Sequence, residues 1–209
     1  MIEFPSSTEV HRRLPKEAFY KHLTLTTALK EKFIADVDRI TVENSFTKDT
    51  LNLSDESEIK EILLLSVTLK KQEFDGKVIE AIARQNPHKL VFLLIYENMR
   101  QIALYHGKLY RSPWITENDI ELTAKGTTLN EIWDGFTEQT ALSEERADNT
   151  SGLSVNERLA LQEKITKLEK LIEKTEAAAW KEQQPKKKFE IFTKLKKYRQ
   201  ELETLKNVN

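Results

Sequence analysis

Cysteine is absent from this 209-residue chain. Its absence excludes disulfides, thiolate metal sites and cysteine nucleophiles, and it fits a reducing compartment. Glycine is scarce: the five glycines stand singly. No glycine-rich loop can therefore cradle a phosphate, and nucleotide binding of the P-loop or Rossmann kind is not expected. No GxSxG is present. Ser66 lies inside an apolar run and not on a strand-to-helix elbow, so a hydrolase triad lacks its nucleophile. His11, His22, His88 and His106 are scattered and match no metal-ligand spacing. No apolar run is long enough to span a bilayer, and the opening residues, MIEFPSSTEVHRRL, have no signal-like core. These absences lead us to expect a cytoplasmic protein with no catalytic residue, no metal, no cofactor and no membrane association.

What the chain does have is charge, and it is unevenly placed. The formal net charge is only −1. From Ser151 onward, however, 14 basic residues face 9 acidic ones, and the remainder holds 19 against 25. An acidic body with a basic tail suggests an anionic partner for the tail, or else a solvated helical surface.

The densest apolar signal runs from Glu61 to Trp114. Ile62–Leu65 is a continuous apolar run, the pattern of a strand buried on both faces, and Val67 and Leu69 extend it by alternation. Val78, Ile79, Ile82 and Ala83 form a helical stripe that Asn86–Pro87 ends. Leu90–Tyr96 is a second buried strand. Strand, short helix and strand in this order predict a parallel pair with a crossover. Glu97–Asn98–Met99 predicts a hairpin turn. Ile102, Leu104, Tyr105, Leu109 and Tyr110 form its partner strand, kinked at His106–Gly107. Ile120 and Leu122 suggest a short edge strand, and Leu129, Ile132, Trp133 and Phe136 one face of a closing helix.

Upstream, Met1–Pro15 reads as a short strand or arm. Lys16–Asp36 has helical spacing, with a break near Thr24–Thr27 where β-branched threonines cluster. Arg39–Thr47 reads as a strand whose alternation falters at Asn44. Leu64, Val67, Ile79, Val91, Leu93 and Ile95 are expected in the core.

SEERADNTSG, from Ser143 to Gly152, is a polar stretch with no hydrophobic period and marks a linker. Beyond it the spacing changes. Leu161, Ile165, Leu168 and Ile172 form one 4-3-4 seam, and Ile191, Leu195, Tyr198, Leu202 and Leu205 form another. Pro185 must interrupt a helix between them. The expected fold is α+β: a mixed sheet of about four or five strands with packed helices over 1–142, a linker over 143–152, and an antiparallel helical hairpin of coiled-coil type over 153–209. One long, kinked helix that forms a homodimer is the other reading of the same seams.

Two constellations bear on chemistry. A metal-dependent nuclease needs two carboxylates to hold a hard cation and a lysine to orient water. Thr68-Leu69-Lys70 has threonine where the acid should stand, and Glu58-Ile59-Lys60 has the right residues at the strand's start. Asp38, Glu43 and Glu61 could supply the other carboxylate. The second constellation is basic. Lys186, Lys187, Lys188, Lys194, Lys196, Lys197 and Arg199 cluster near the hairpin tip, and Lys187, Lys194 and Lys197 can share a helical face. Trp180, Phe189, Phe192 and Tyr198 are interleaved with them. Such a mixture can bind phosphate and stack on the bases of DNA or RNA. The plainer reading packs Phe189 and Phe192 inside the hairpin and leaves the lysines as solvated charges.

Several phrases together carry a family resemblance. They are LPKEAFYKH, TLNL, EIKEILLLSVTLKKQE, IARQNPHKLVFLLIYENMRQIALYHGK and the terminal KKKFEIFTKLKKYRQELETL. In them the chain resembles the uncharacterised bacterial domain-of-unknown-function family DUF4391. The resemblance implies company with helicases and DNA methyltransferases in restriction or phage-defence loci. It implies no catalytic residues. A non-enzymatic accessory protein that contacts a larger helicase or methyltransferase is the expectation. Direct nucleic-acid binding by the basic hairpin and a metal-dependent nuclease are the alternatives.

Overall fold

A computed structural model describes residues 2, 4–17, 23–53, 57–142 and 152–206. The chain divides into two compact units, Met1–Ala141 and Leu142–Asn209. Apart from Gly152, the linker expected over 143–152 lies outside the described residues, as do Phe19, Tyr20 and His22.

The first unit is built on one mixed sheet. Its elements in order are β1 (Glu9–Leu14), α1 (Thr27–Asp36), β2 (Val37–Thr47), β3 (Glu61–Leu69), α2 (Lys77–Gln85), β4 (Lys89–Tyr96), β5 (Met99–His106), β6 (Lys108–Arg111), β7 (Ile115–Thr116) and α3 (Leu129–Ala141). The strand order is β1-β2-β3-β4-β5-β6, with β7 also on β5. Only β3 and β4 are parallel, from Ile62↔Lys89 to Thr68↔Ile95, and α2 makes the crossover between them.

The sheet therefore has seven strands, more than the four or five expected. The N-terminal arm is a full strand, β1, paired antiparallel to β2. The presumed kink at His106–Gly107 is a complete reversal, with His106 facing Lys108 across β5 and β6. Gly107 has φ +72°, which a residue without Cβ adopts freely and which lets the chain double back in one residue. The edge strand is Ile115–Thr116 and not Ile120–Leu122. Ile120 and Leu122 are nonetheless buried, as anchors of an irregular segment.

The β3 pattern divides between two cores, as a strand apolar on both faces must. On one face Leu65, Val67, Leu69, Phe92 and Leu94 pack with Phe33 of α1 and with Val78, Ile79 and Ile82 of α2. On the other, Ile62, Leu64, Val91 and Leu104 pack with Leu129, Ile132, Trp133 and Phe136 of α3. A bulge in β2 joins these faces. Val42 opposes Leu65, but Asn44 opposes Leu64, so the extra residue Glu43 flips the strand's parity. Ile40 and Val42 thus serve the first core and Phe46 the second. The alternation that falters at Asn44 is this change of face. Asn44 is buried, and its amide donates to the Thr8 hydroxyl at 2.9 Å.

Leu64, Val67, Ile79 and Val91 are buried as expected. Leu93 and Ile95 are only half-buried. They lie toward the far end of β4, and the helical cover on their face comes from Leu129, Ile132, Trp133 and Phe136, while Leu93 packs only at its margin. The break expected near Thr24–Thr27 is the start of α1, where the Thr26 hydroxyl accepts from the Leu29 N–H.

The second unit is a helix pair, α4 (Val155–Lys181) and α5 (Pro185–Lys206). Ser154 caps α4 through a reciprocal capping box with Glu157. Pro185 does not sit in the turn. It is the first residue of α5, where its missing N–H costs nothing and its φ is preset. The connection is Glu182–Gln184, three residues outside both helices. Glu169 pairs with Lys206 at 2.9 Å and Glu176 with Arg199. The partners advance along α4 as they retreat along α5, so the helices run antiparallel. Ile165, Leu168 and Leu195 are buried, and Leu161, Ile172, Ile191, Tyr198, Leu202 and Leu205 are half-buried. Ala179 extends the first seam toward the turn and is fully buried.

Candidate interaction surface on the helix pair

A seam of a and d positions is narrow, and side chains off it meet solvent. Phe189 and Phe192 are off the seam that passes through Ile191, Leu195 and Tyr198. They are 73% and 42% exposed, and Trp180 is 77% exposed. This corrects the packed reading of Phe189 and Phe192. The seam spacing already carried the signal, because neither phenylalanine falls on it.

These side chains occupy one side of the pair. Phe189, Phe192, Lys196 and Arg199 follow at intervals of three and four, the step of a single helical face. Arg199 reaches Glu176 on α4, so that face of α5 borders the α4 face carrying Glu176 and, one turn on, Trp180. The Lys188 ammonium lies 5.9 Å from the centre of the Trp180 ring, a cation–π contact across the turn. Trp180, Phe189, Phe192, Lys188 and Lys196 thus bring aromatic rings and lysines together at the end of the pair near the turn.

The other predicted basic residues are distributed differently. Lys186, Lys187 and Lys188 belong to the first turn of α5 and not to the loop. Positive charge there opposes the helix dipole, so helix stability does not account for it. Lys187, Lys194 and Lys197 are exposed on α5. Phe189 follows Lys187 by two residues, roughly 200° around the helix, so Lys187 and Lys194 face away from the aromatic rows. Arg199 is engaged by Glu176 and is not a free cation.

On the sheet unit, the residues weighed for metal chemistry are spread out and mostly engaged. Both oxygens of Glu43 are occupied, one by the Ser66 hydroxyl and one by His11 Nδ1 at 2.9 Å. The hydrogen bond to Glu43 holds His11 above its ordinary pKa. His11 has φ +49° and lies where the β1–β2 register shifts, beside the bulge residue Glu43. No spacing in the sequence marks this trio. Glu61 accepts from Ser45 and faces His88 Nδ1 at 3.1 Å, at the start of β3. Lys70 donates to the Ile34 carbonyl at 2.9 Å, with Thr68 two residues before it. Asp38, Glu58 and Lys60 are exposed. Among the described residues no group of three or more histidines and carboxylates is arranged to hold a metal ion. None of their helices is long and apolar enough to cross a membrane.

Fold and surface define a class: a mixed-sheet α+β unit bearing an antiparallel helix pair with an aromatic, basic end. Residues 2–202 match the model of DUF4391, a domain of unknown function, and the chain belongs to that family. No curated protein and no solved structure matches it.

Proposed function

We propose that this protein is a non-enzymatic accessory component of a DNA-processing system of restriction or defence type. In this reading the helix pair is the part that contacts a larger helicase or DNA methyltransferase. One observation carries the proposal. Trp180 and Phe189 are more than two-thirds exposed beside a lysine cluster, where the pair's own packing does not use them. Large rings left in water forgo the gain of burial, and an exposed apolar patch rimmed by charge marks an interaction surface.

The test is capture from the native host with the tagged full-length chain. The parent should retain one helicase or methyltransferase, identified by mass spectrometry. The double variant Trp180→Ala, Phe189→Ala should lose it while melting at the same temperature. The reading fails if that enzyme stays with the variant. It also fails if the purified parent cleaves nucleic acid with a divalent cation and Glu43→Gln abolishes the cleavage.

A further inference from the structure

We infer that the aromatic and basic end of the helix pair binds single-stranded nucleic acid. This rests on the reading that this end is the protein's contact surface, and it adds a nucleic-acid strand to the larger enzyme as what that surface meets.

Charge gives the first argument. Between Trp180 and Lys197 seven lysines face two glutamates. Further from the turn, Arg199 is neutralised by Glu176 and Lys206 by Glu169. The excess of positive charge is thereby confined to the end that carries the aromatics. A polyanion fits this distribution, and the lysines supply its sequence-independent attraction.

The rings give the second argument. Trp180, Phe189 and Phe192 are all exposed near the turn. Phe189 and Phe192 are one turn apart, about 4.5 Å along the helix axis, a step that successive unstacked bases can follow. Lys188 sits over Trp180, so a cation and a stacking surface are adjacent. A duplex hides its base faces in its own stack and would engage only the lysines. A single strand engages both, because every base has a face to stack. The second basic row, Lys187, Lys194 and Lys197, adds attraction from the far side of α5 without specifying bases.

The experiment uses the full-length protein with a short fluorescent oligo-dT and a duplex of equal length, followed by anisotropy across a salt series. The oligo-dT should bind more tightly than the duplex, weaken steeply with salt, and quench tryptophan fluorescence. Trp180→Ala with Phe189→Ala should weaken oligo-dT binding at least about tenfold, the scale of a lost base–aromatic stack, and leave duplex binding unchanged. Because both side chains are exposed, the variant should melt like the parent. Lys186→Glu with Lys187→Glu and Lys188→Glu should flatten the salt dependence. Equal affinity for both ligands, with the aromatic variant as tight as the parent, would overturn the inference in favour of simple charge attraction. A concentration-dependent dimer that the aromatic variant dissolves, with no oligo-dT binding at low salt, would assign the surface to a second copy. Absence of oligo-dT binding overturns the ligand alone. The accessory reading falls on its own tests: capture of the larger enzyme unaffected by the same variant, or cation-dependent cleavage that Glu43→Gln abolishes.

Discussion

The two units treat their aromatic residues in opposite ways. In the sheet unit Phe33, Phe46, Phe92 and Phe136 have no exposed surface. Phe46 and Phe136 lie 5.5 Å apart between their centres. In the helix pair Trp180, Phe189 and Phe192 are all exposed. The cause is geometric. A sheet covered on both faces offers two broad surfaces, and its bulge at Glu43 lets a single strand feed both. Two helices share one narrow seam, and near the turn a side chain off it, such as Phe189, is left largely in solvent. Large aromatic rings are therefore enclosed in one unit and left exposed near the turn of the other.

Substitution should cost most where rings are fully enclosed. Phe92→Ala should destabilise the sheet unit by about 3–5 kcal/mol, the cost of a cavity where a phenylalanine was fully enclosed. Chemical denaturation would read it. Leu94→Ala should cost about 2–5 kcal/mol, and Leu93→Ala clearly less, because Leu93 is already half in water. Equal losses at Leu93 and Leu94 would mean that the far end of β4 is covered on both faces. In the helix pair, Leu195→Ala should cost about 2 kcal/mol, near the lower end of that range, since two helices can close on a small void more easily than a sheet can.

Much of this contrast could be read from the residues. The apolar run Ile62–Leu65 announces a strand with two buried faces, and the segment that ends at Asn86–Pro87 announces a crossover. The 4-3-4 seams announce two helices. Three features were hidden for physical reasons. The reversal at Gly107 costs one residue, too few for a turn signature of its own. The parity change at Glu43 depends on which residues of β3 stand opposite, which no single strand encodes. The Glu43, Ser66 and His11 trio joins three strand positions that only the register brings together. The exposed aromatics were legible, because Phe189 and Phe192 miss the seam. Hydrophobicity alone points them to the hairpin interior, and their position off the seam overrides it.

Charge at the tip should matter much less to folding than the core does. Lys186→Glu, Lys187→Glu and Lys188→Glu together should change stability by no more than about 1 kcal/mol, because Lys186 and Lys187 are exposed and half-buried Lys188 loses only its contact with Trp180. The sign is expected to favour the variant, since acidic side chains suit the first turn of a helix. A thermal melt alongside the binding series would show it. A large loss of stability would place these lysines in packing that the helix pair requires.

The smallest expected effect concerns pH and again separates the units. Hydrogen bonding from the Lys32 ammonium, then from the Lys77 N–H, holds the Asp75 carboxyl below the usual carboxylate range. Lys32 is raised in turn by Asp75. The pair ties α1 to the residues that open α2. Asp75, depressed in the folded state, stabilises above its unfolded value of about 3.9 and loses that contribution as pH falls through the folded value. Lys32, raised in the folded state, stabilises below its unfolded value of about 10.4 and loses that contribution only as pH rises through the folded value. The link is therefore constant around neutrality and fails in acid. In the helix pair Glu157 is depressed too, by the Ser154 hydroxyl and then the Ser154 N–H, but that contact closes one helix end and joins no two elements. Asp75→Asn should lower the melting temperature slightly at pH 7, and the parent and variant curves should converge as pH falls through the depressed folded value of Asp75. A gap that persists unchanged into acid would mean that Asp75 acts through its shape and its hydrogen bond to the Lys77 N–H, and that charge contributes nothing to joining α1 and α2.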